Sequence, residues 1–194
     1  QYDCVMLLDA QFSKRILELD GPERVTSLIS PCSSESLHAG ETVFEDFYWN
    51  DVNGHIYLKV LLPILDESNG NRLIGVLALR TDPEQFLYPL IQRWPIPSES
   101  AETLLVRKDG NDVLFLNELR FQKNAALELR KPLDAVDIPA VKAILGQEGI
   151  VDGVDYRGVP SIAAVRAIAD SPWFLIARID RSELYAPVRE RTWM

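Results

Sequence analysis

The chain has 194 residues, of which 47% are hydrophobic and 25% are charged. This is the composition of an ordinary globular protein, and at about 150 residues per domain the length allows one large domain or two small ones. The 29 acidic and 20 basic residues give a formal net charge of −9. Because nucleic acids and anionic lipid surfaces bind cationic proteins, this acidity argues against either as a main partner.

Two cysteines occur, Cys4 and Cys32, which are too few for a disulfide-rich secreted scaffold and lack metal-site spacing. They do not identify the compartment, and the sequence leaves open whether they form a disulfide. No apolar run approaches the roughly 18 residues that a membrane-spanning helix needs. We therefore expect a soluble protein or a soluble piece of a larger anchored one.

The sequence pattern of the first half of the chain predicts five strands followed by a helix. Asn53-Gly54 and the polar segment 66–70 are turn sequences between β-rich runs, which favours an antiparallel sheet. Residues 22 to 38 are predicted to be irregular or weakly helical, with Pro31 stopping any helix. Asp82 is a candidate cap for a helix that begins at Pro83. The predicted strands are Val5 to Leu8, Arg15 to Leu19, Thr42 to Trp49, His55 to Leu65 and Arg72 to Thr81.

The second half repeats this plan, with two strands, a helical connection, three antiparallel strands and a closing helix from Ser182. Such an order describes an α+β unit whose sheet is covered on one side. The helical connection is predicted from Pro139 to Leu145, ended by Gly146. The predicted strands are Thr103 to Arg107, Val113 to Asn117, Ile150 to Tyr156, Pro160 to Ile168 and Trp173 to Ile179.

An internal repeat at a constant offset of 98 residues (178 − 80) relates the two halves. The offset brings Arg80, Asp82 and Pro89 onto Arg178, Asp180 and Pro187, and residues 5–8 onto residues 103–106. Proline and small polar residues between Pro95 and Ser100 indicate a linker. The sequence therefore predicts two similar units, residues 1–97 and 98–194.

The doubled order of elements resembles the tandem Cache sensor domains, which have PAS-like folds. Two segments of the second half carry most of the likeness: Asp155-Tyr156-Arg157-Gly158-Val159-Pro160, and the Trp-containing run from Ser171 to Asp180. Residues 73–79 are similar to the last strand of the family's first unit. The resemblance implies a fold of two tandem PAS-like units, each an antiparallel sheet with flanking helices.

The same resemblance implies the extracytoplasmic input region of a membrane-anchored histidine kinase, diguanylate cyclase or chemoreceptor. The first, membrane-distal unit would bind a small molecule, and the second, membrane-proximal unit would pass a conformational change into the C-terminal helix. A homodimer is expected for the full-length receptor. Such domains usually begin with a long helix, whereas this sequence starts at the predicted first strand, so we expect either a shortened variant or a helix that lies outside this stretch.

Candidate ligand-binding residues lie on the predicted strands of the first unit. Alternation puts Tyr57 and Lys59 on one face of their strand, facing either solvent or a pocket, while the apolar opposite face is expected to meet the core. Many tandem Cache sensors hold a ligand ammonium group with an aspartate where Arg80 stands here. Lys59 and Arg80 instead suit a carboxylate, because guanidinium pairs with it through two hydrogen bonds. The set comprises Lys59, Arg80, Tyr57, Tyr48 and Asp46.

Alternatives remain open at this stage. Arg80 could pair with Asp82 or Asp46, with Lys59 solvated. In the second unit, Arg178 and Asp155, with Arg166 nearby, favour a structural ion pair over a ligand site. No motif for catalysis, metal binding or phosphate binding is present, so we expect no enzymatic activity, metal or cofactor. A cytoplasmic PAS-type module that binds a cofactor or a protein is the alternative function.

Overall fold

The computed structural model describes residues 4–13, 15–19, 31–50 and 53–192. The chain divides into two compact units, residues 1–87 and 88–194. This division precedes the predicted boundary after residue 97, because Tyr88 is buried and its hydroxyl donates to the Leu116 carbonyl at 2.5 Å. The segment 88–97 therefore belongs with the second unit. The membrane-distal and membrane-proximal assignments stay predictions.

The first unit is an antiparallel sheet with the strand order β2-β1-β5-β4-β3. All five predicted strands are present, and a short 3₁₀ turn (Glu67–Asn69) joins β4 to β5. One further helix, α2 (Leu87–Ile91), begins at the boundary between the units. The elements are β1 (Cys4–Asp9), β2 (Arg15–Leu19), α1 (Pro31–His38), β3 (Val43–Asn50), β4 (His55–Asp66) and β5 (Arg72–Thr81).

Two predictions about proline were wrong. Pro31 begins α1 rather than stopping a helix, since proline is well tolerated in a first helical turn, where its missing N–H has no acceptor. The helix predicted from Pro83 starts only at Leu87, after a run of turns. Asp82 caps those turns, as its carboxylate accepts the Glu84 N–H at 2.8 Å. Residues 22–30 of the predicted irregular segment lie outside the described residues.

The second unit is a six-stranded antiparallel sheet with the order β8-β7-β6-β11-β10-β9. The sequence did not predict β8, a three-residue strand with two basic residues and a proline. Its elements are β6 (Glu102–Asp109), β7 (Asp112–Phe115), β8 (Arg130–Pro132), α3 (Pro139–Ile144), β9 (Gly149–Val154), β10 (Pro160–Ala167), β11 (Trp173–Asp180) and α4 (Arg181–Thr192). Five of its strands follow the same order as the five of the first unit, and the predicted α+β class is confirmed.

Each unit has its own apolar core. In the first, α1 places Leu37 against residues of the central strands, namely Met6, Leu8, Leu61, Val76 and Ala78. The second core is larger and includes α3 and the inner faces of β6, β10 and β11. The predicted orientation of β4 was wrong, because the face with Tyr57, Lys59 and Leu61 is the one turned toward this core. Alternation separates the two faces of a strand but does not identify the inner one.

Gly153 on β9 provides a test of packing in the second unit. A Cβ atom there would lie 2.2 Å from the Asp137 carbonyl oxygen and 3.0 Å from Pro139 Cδ. We expect Gly153→Ala to lower the free energy of unfolding by about 1–3 kcal/mol, as overpacking does. Urea unfolding measures the change. Asp152→Ala, at the exposed neighbouring position, is the control and should change it by less than about 0.5 kcal/mol.

Candidate functional site

Two basic side chains lie side by side on the inner face of the first sheet. Lys59 on β4 and Arg80 on β5 are directly opposite each other in the strand register. Lys59 is 1% exposed and Arg80 is 4% exposed. The alternative of a solvated Lys59 is therefore wrong. Lysine and arginine are rarely buried to this extent in proteins, because removing a charge from water is costly unless an anion compensates it.

Each of these cations lies over the face of a tyrosine ring. The Lys59 ammonium nitrogen is 4.0 Å from the centroid of the Tyr48 ring, and the Arg80 guanidinium carbon is 4.1 Å from that of Tyr57. The two tyrosines are themselves cross-strand partners on β3 and β4. The Tyr57 hydroxyl accepts a hydrogen bond from Asn53 at 2.8 Å. Cation–π contacts thus hold both basic groups on one aromatic wall.

A β-bulge in β3 determines which acidic residue lies opposite Lys59. The β3–β4 register passes from Glu45 opposite Lys59 to Tyr48 opposite Tyr57, so Asp46 and Phe47 lie within the bulge. The Asp46 carboxylate accepts the Phe47 N–H at 2.7 Å, and Glu45 accepts the Ser33 hydroxyl at 3.0 Å. Strict alternation gave no sign of this bulge, and the sequence analysis therefore missed Glu45.

The predicted alternative pairing of Arg80 with Asp82 is not formed. Asp82 accepts hydrogen bonds from the backbone of Glu84 and from the side chain of Gln85, the latter at 3.1 Å. Of the five predicted site residues, the sheet brings together four, namely Lys59, Arg80, Tyr48 and Tyr57. Asp46 lies in the adjoining bulge.

The second unit buries an arginine in a closed ion network. Arg178 on β11 is 1% exposed and contacts Glu102 at 2.7 Å, Asp155 at 3.0 Å and Asp180 at 2.7 Å. Arg157 also pairs with both aspartates. The predicted structural ion pair of Arg178 with Asp155 is present, whereas Arg166 is exposed. Glu102 was missed because the strand was predicted to begin one residue later, at Thr103.

Glu102 has further partners at the centre of this network. The Tyr156 hydroxyl donates to its carboxylate at 2.9 Å, and the backbone N–H of Arg120 donates to its other oxygen. Burial, together with the Glu102 charge, raises the pKa of Tyr156 above its ordinary value. The remaining space between Arg178, Tyr156 and the core is only about 10 Å³, about that of one water molecule. The space between these side chains is filled, whereas Glu102 also lines a separate cavity of about 400 Å³ together with Trp94 and Arg120.

The first turn of α4 is tied to the segment before β6. The Glu183 carboxylate accepts hydrogen bonds from the Ser98 hydroxyl at 2.7 Å, the Glu99 N–H at 3.1 Å and the Ser100 N–H at 2.8 Å, and also from the Ser100 hydroxyl. Hydrogen bonds from Ser100 and Ser98 lower the pKa of Glu183 to about 2. The C-terminal helix is thereby fixed to the body of its own unit.

No helix in the described part of the chain combines the length and apolar character needed to cross a membrane. Within the same residues, no group of three or more His, Cys, Asp and Glu side chains is arranged to hold a metal ion.

Comparison with known proteins identifies the fold. No protein-family model matches the chain, and no curated protein matches it. The ligand-binding domain of the Pseudomonas aeruginosa PAO1 amino acid chemoreceptor PctB, in complex with L-Arg, matches with a TM-score of 0.66 and 14% identity, over 100% of this chain and 72% of that one. The periplasmic sensory domain of the Campylobacter jejuni chemoreceptor Tlp1 matches with a TM-score of 0.62 and 17% identity, over 96% of this chain and 75% of that one.

A third structure agrees with these two. The ligand-binding domain of the P. aeruginosa PAO1 amino acid chemoreceptor PctC, in complex with GABA, matches with a TM-score of 0.58 and 16% identity, over 92% of this chain and 74% of that one. At such identities the likeness shows the fold. The chain has the fold of chemoreceptor ligand-binding domains, and the predicted tandem PAS-like architecture is confirmed.

Removing Arg178 is expected to destabilise the second unit strongly. Arg178→Met roughly keeps the volume but leaves the buried Glu102 carboxylate without its cation, which costs about 3–5 kcal/mol of the free energy of unfolding, while Arg157 still pairs with Asp155 and Asp180. The change is measured by urea unfolding. Arg130→Met, which removes an exposed partner of Asp109, is the control and should cost less than about 1 kcal/mol. Equal losses in the two variants would contradict the role assigned to the network.

Glu183 predicts a pH dependence of stability. The pKa of Glu183 is lowered in the folded protein. The charged carboxylate therefore stabilises the fold fully at pH values above 4.5, the ordinary pKa of glutamate, and this stabilisation is lost as the pH falls toward about 2. We expect Glu183→Gln to be less stable than the wild type by about 1 kcal/mol at pH 6 and to match it near pH 2. Urea midpoints at both pH values measure this. Glu128→Gln, at an exposed position, should show no such convergence.

Proposed function

We propose that this chain is the extracytoplasmic ligand-sensing input region of a membrane-anchored signalling receptor, and that its first unit binds a small anionic molecule. The observation that carries the ligand proposal is the buried pair of Lys59 and Arg80 on adjacent strands. The receptor role is supported by the fold, since the matching structures are named as ligand-binding or sensory domains of chemoreceptors. The proposal assigns the chain no catalytic activity.

The chemistry of the site favours a carboxylate. Lys59 and Arg80 repel each other across adjacent strands, and this repulsion is stronger inside a protein than in water. An anion between them offsets the repulsion and interacts with both. Guanidinium can donate two parallel hydrogen bonds to one carboxylate, while the lysine ammonium acts as a point charge. Tyr48 and Tyr57 then form an aromatic wall beside the ligand.

Signalling in this proposal ends at the C-terminal helix. The ligand shifts the receptor between two conformations only by the difference in its affinity for them, which corresponds to about 1–3 kcal/mol in typical allosteric proteins. In the second unit, Glu183 connects α4 to residues 98–100. A displacement of that segment would therefore act directly on the helix. Homodimerisation of the full-length receptor and its anchoring in the membrane belong to the same proposal.

Binding of carboxylic acids tests the site. We expect isothermal titration with acetate, pyruvate, succinate and benzoate to detect binding of at least one acid. Lys59→Met and Arg80→Met should each weaken that binding at least tenfold, which is about 1.4 kcal/mol, because each removes a buried charge that contacts the anion. Arg72→Met, at an exposed position on β5, is the control and should leave the affinity unchanged.

Two results would overturn this proposal. Undiminished binding by the folded double variant Lys59→Met, Arg80→Met would remove the assignment of these residues, and circular dichroism establishes that the variant is folded. A wild-type protein that binds amines but none of the four acids would overturn the anionic ligand.

A further inference from the structure

The second unit contains a cavity that is lined by none of the five predicted site residues. Its volume is about 400 Å³, within the range of about 300–1,000 Å³ that is usual for small-molecule sites. Three segments form its wall: the chain that follows α2, the start of β6 and the chain that follows β7. All three belong to residues 88–194, so the cavity lies within one compact unit.

The wall of this cavity includes a hydrogen-bond donor that lacks an acceptor. Trp94 lines the cavity, and its indole nitrogen is buried without a hydrogen-bond partner in the described part of the chain. An indole N–H can only donate, and a buried tryptophan usually has a partner for it. Leaving such a group unpaired is destabilising, so this N–H favours a bound molecule that presents an acceptor atom.

The carboxylate of Glu118 has the opposite capacity on the same wall. It accepts the backbone N–H groups of Ala126 at 3.2 Å and of Ala125 at 3.5 Å. An ionised carboxylate can accept about four hydrogen bonds, so Glu118 can accept a further donor. The cavity therefore combines a donor that needs an acceptor with an acceptor that has capacity for a donor.

The charges on the wall favour an uncharged molecule. The Glu102 carboxylate is neutralised by Arg178 at 2.7 Å. The wall then carries one further carboxylate, that of Glu118, and one guanidinium, that of Arg120, which donates to two backbone carbonyls at 3.0 Å and 3.1 Å. A ligand with a net charge of either sign would be attracted by one of these two groups and repelled by the other. An uncharged ligand avoids this repulsion.

We propose that this cavity binds a small uncharged molecule through a carboxamide group. The carbonyl oxygen of the ligand accepts the Trp94 N–H, and its amide N–H donates to the Glu118 carboxylate. A carboxamide suits both contacts, because it carries an acceptor and a donor without a charge. The apolar part of the molecule contacts Leu119, which is 5% exposed and lines the same cavity. This second ligand site goes beyond the proposed function, because it uses no residue of the first unit.

An occupant of this cavity would lie beside the connection to the C-terminal helix. Ser98 lines the cavity, and its hydroxyl donates to the Glu183 carboxylate in the first turn of α4 at 2.7 Å. The Ser98 carbonyl accepts the Arg120 guanidinium at 3.0 Å, so one residue joins the cavity wall to the helix. Binding in the second unit thus acts on the same helix to which the proposed signal of the first unit leads.

Three ligands of nearly equal shape test the chemical class. Benzamide, benzoate and benzamidinium differ in charge and in the donors and acceptors that they present, but hardly in size. We expect benzamide to shift the indole N–H resonance of Trp94 in ¹H–¹⁵N NMR spectra of the whole chain. Benzoate lacks a donor for Glu118 and benzamidinium lacks an acceptor for Trp94, so both should bind there at least tenfold more weakly. Equal affinities of the three at this site would overturn the inference.

Removing the indole donor provides a matched variant. Trp94→Phe keeps an aromatic ring without the N–H, and we expect it to bind benzamide at least tenfold more weakly in isothermal titration. The variant also assigns the Trp94 resonance, which is absent from its spectrum. Trp49→Phe, at a position that is 50% exposed in the first unit, is the control and should bind benzamide as the wild type does. Undiminished binding by Trp94→Phe would overturn the assigned contact.

The variants of the first unit separate this inference from the proposed function. The double variant Lys59→Met, Arg80→Met should respond to benzamide at Trp94 as the wild type does. A Trp94 response in a protein that binds none of acetate, pyruvate, succinate and benzoate would uphold the second site, and the proposed ligand of the first unit would fail alone. Binding of acids without any response of Trp94 to millimolar benzamide or acetamide would mean that the cavity holds solvent only, and the second site would fail alone.

Discussion

Each sheet of this protein buries an arginine near the end of a central strand, and the need to neutralise that charge shapes both units. A guanidinium group inside a protein requires an anion close by, because the protein interior solvates charge far less well than water does. In the second unit, Glu102, Asp155 and Asp180 satisfy this requirement. In the first unit, the strand partners of Arg80 are Cys4 and Lys59. The two buried arginines thus have different neighbours in their sheets.

The architecture could be predicted because turn residues and alternation are local signals, and because the internal repeat is visible in the sequence itself. Turn residues such as Asn53-Gly54 separate the strands clearly, and the offset of 98 residues carries over into the strand register. Short elements were harder. The strand β8 is too short to show alternation. The helix α1 begins at Pro31, and proline is a residue that ends a helix in one context and begins it in another.

The candidate site was predicted in part, for a physical reason. Tyr57 and Lys59 were identified from alternation within a single strand, and Arg80 from its place in the resemblance to tandem Cache sensors. Glu45 and Glu102 were missed because their roles depend on pairing between strands: a bulge sets the position of Glu45, and the register of β6 with β11 sets that of Glu102. The inner face of β4 was also assigned wrongly, since a strand whose two faces are both largely buried does not reveal which one meets the core.

The electrostatic network of the second unit reaches its C-terminal helix. Asp180, the last residue of β11, pairs with Arg178, and its backbone N–H donates to the Ser100 hydroxyl at 3.0 Å. Ser100 in turn donates to Glu183 in the first turn of α4. Hydrogen bonds therefore connect the buried Arg178 to the helix α4 through Asp180 and Ser100. Because closely packed interiors transmit strain, a shift of β11 or of the segment before β6 would move the start of α4 with it. A second unit that neutralises its own arginine is therefore suited to transmit such a shift.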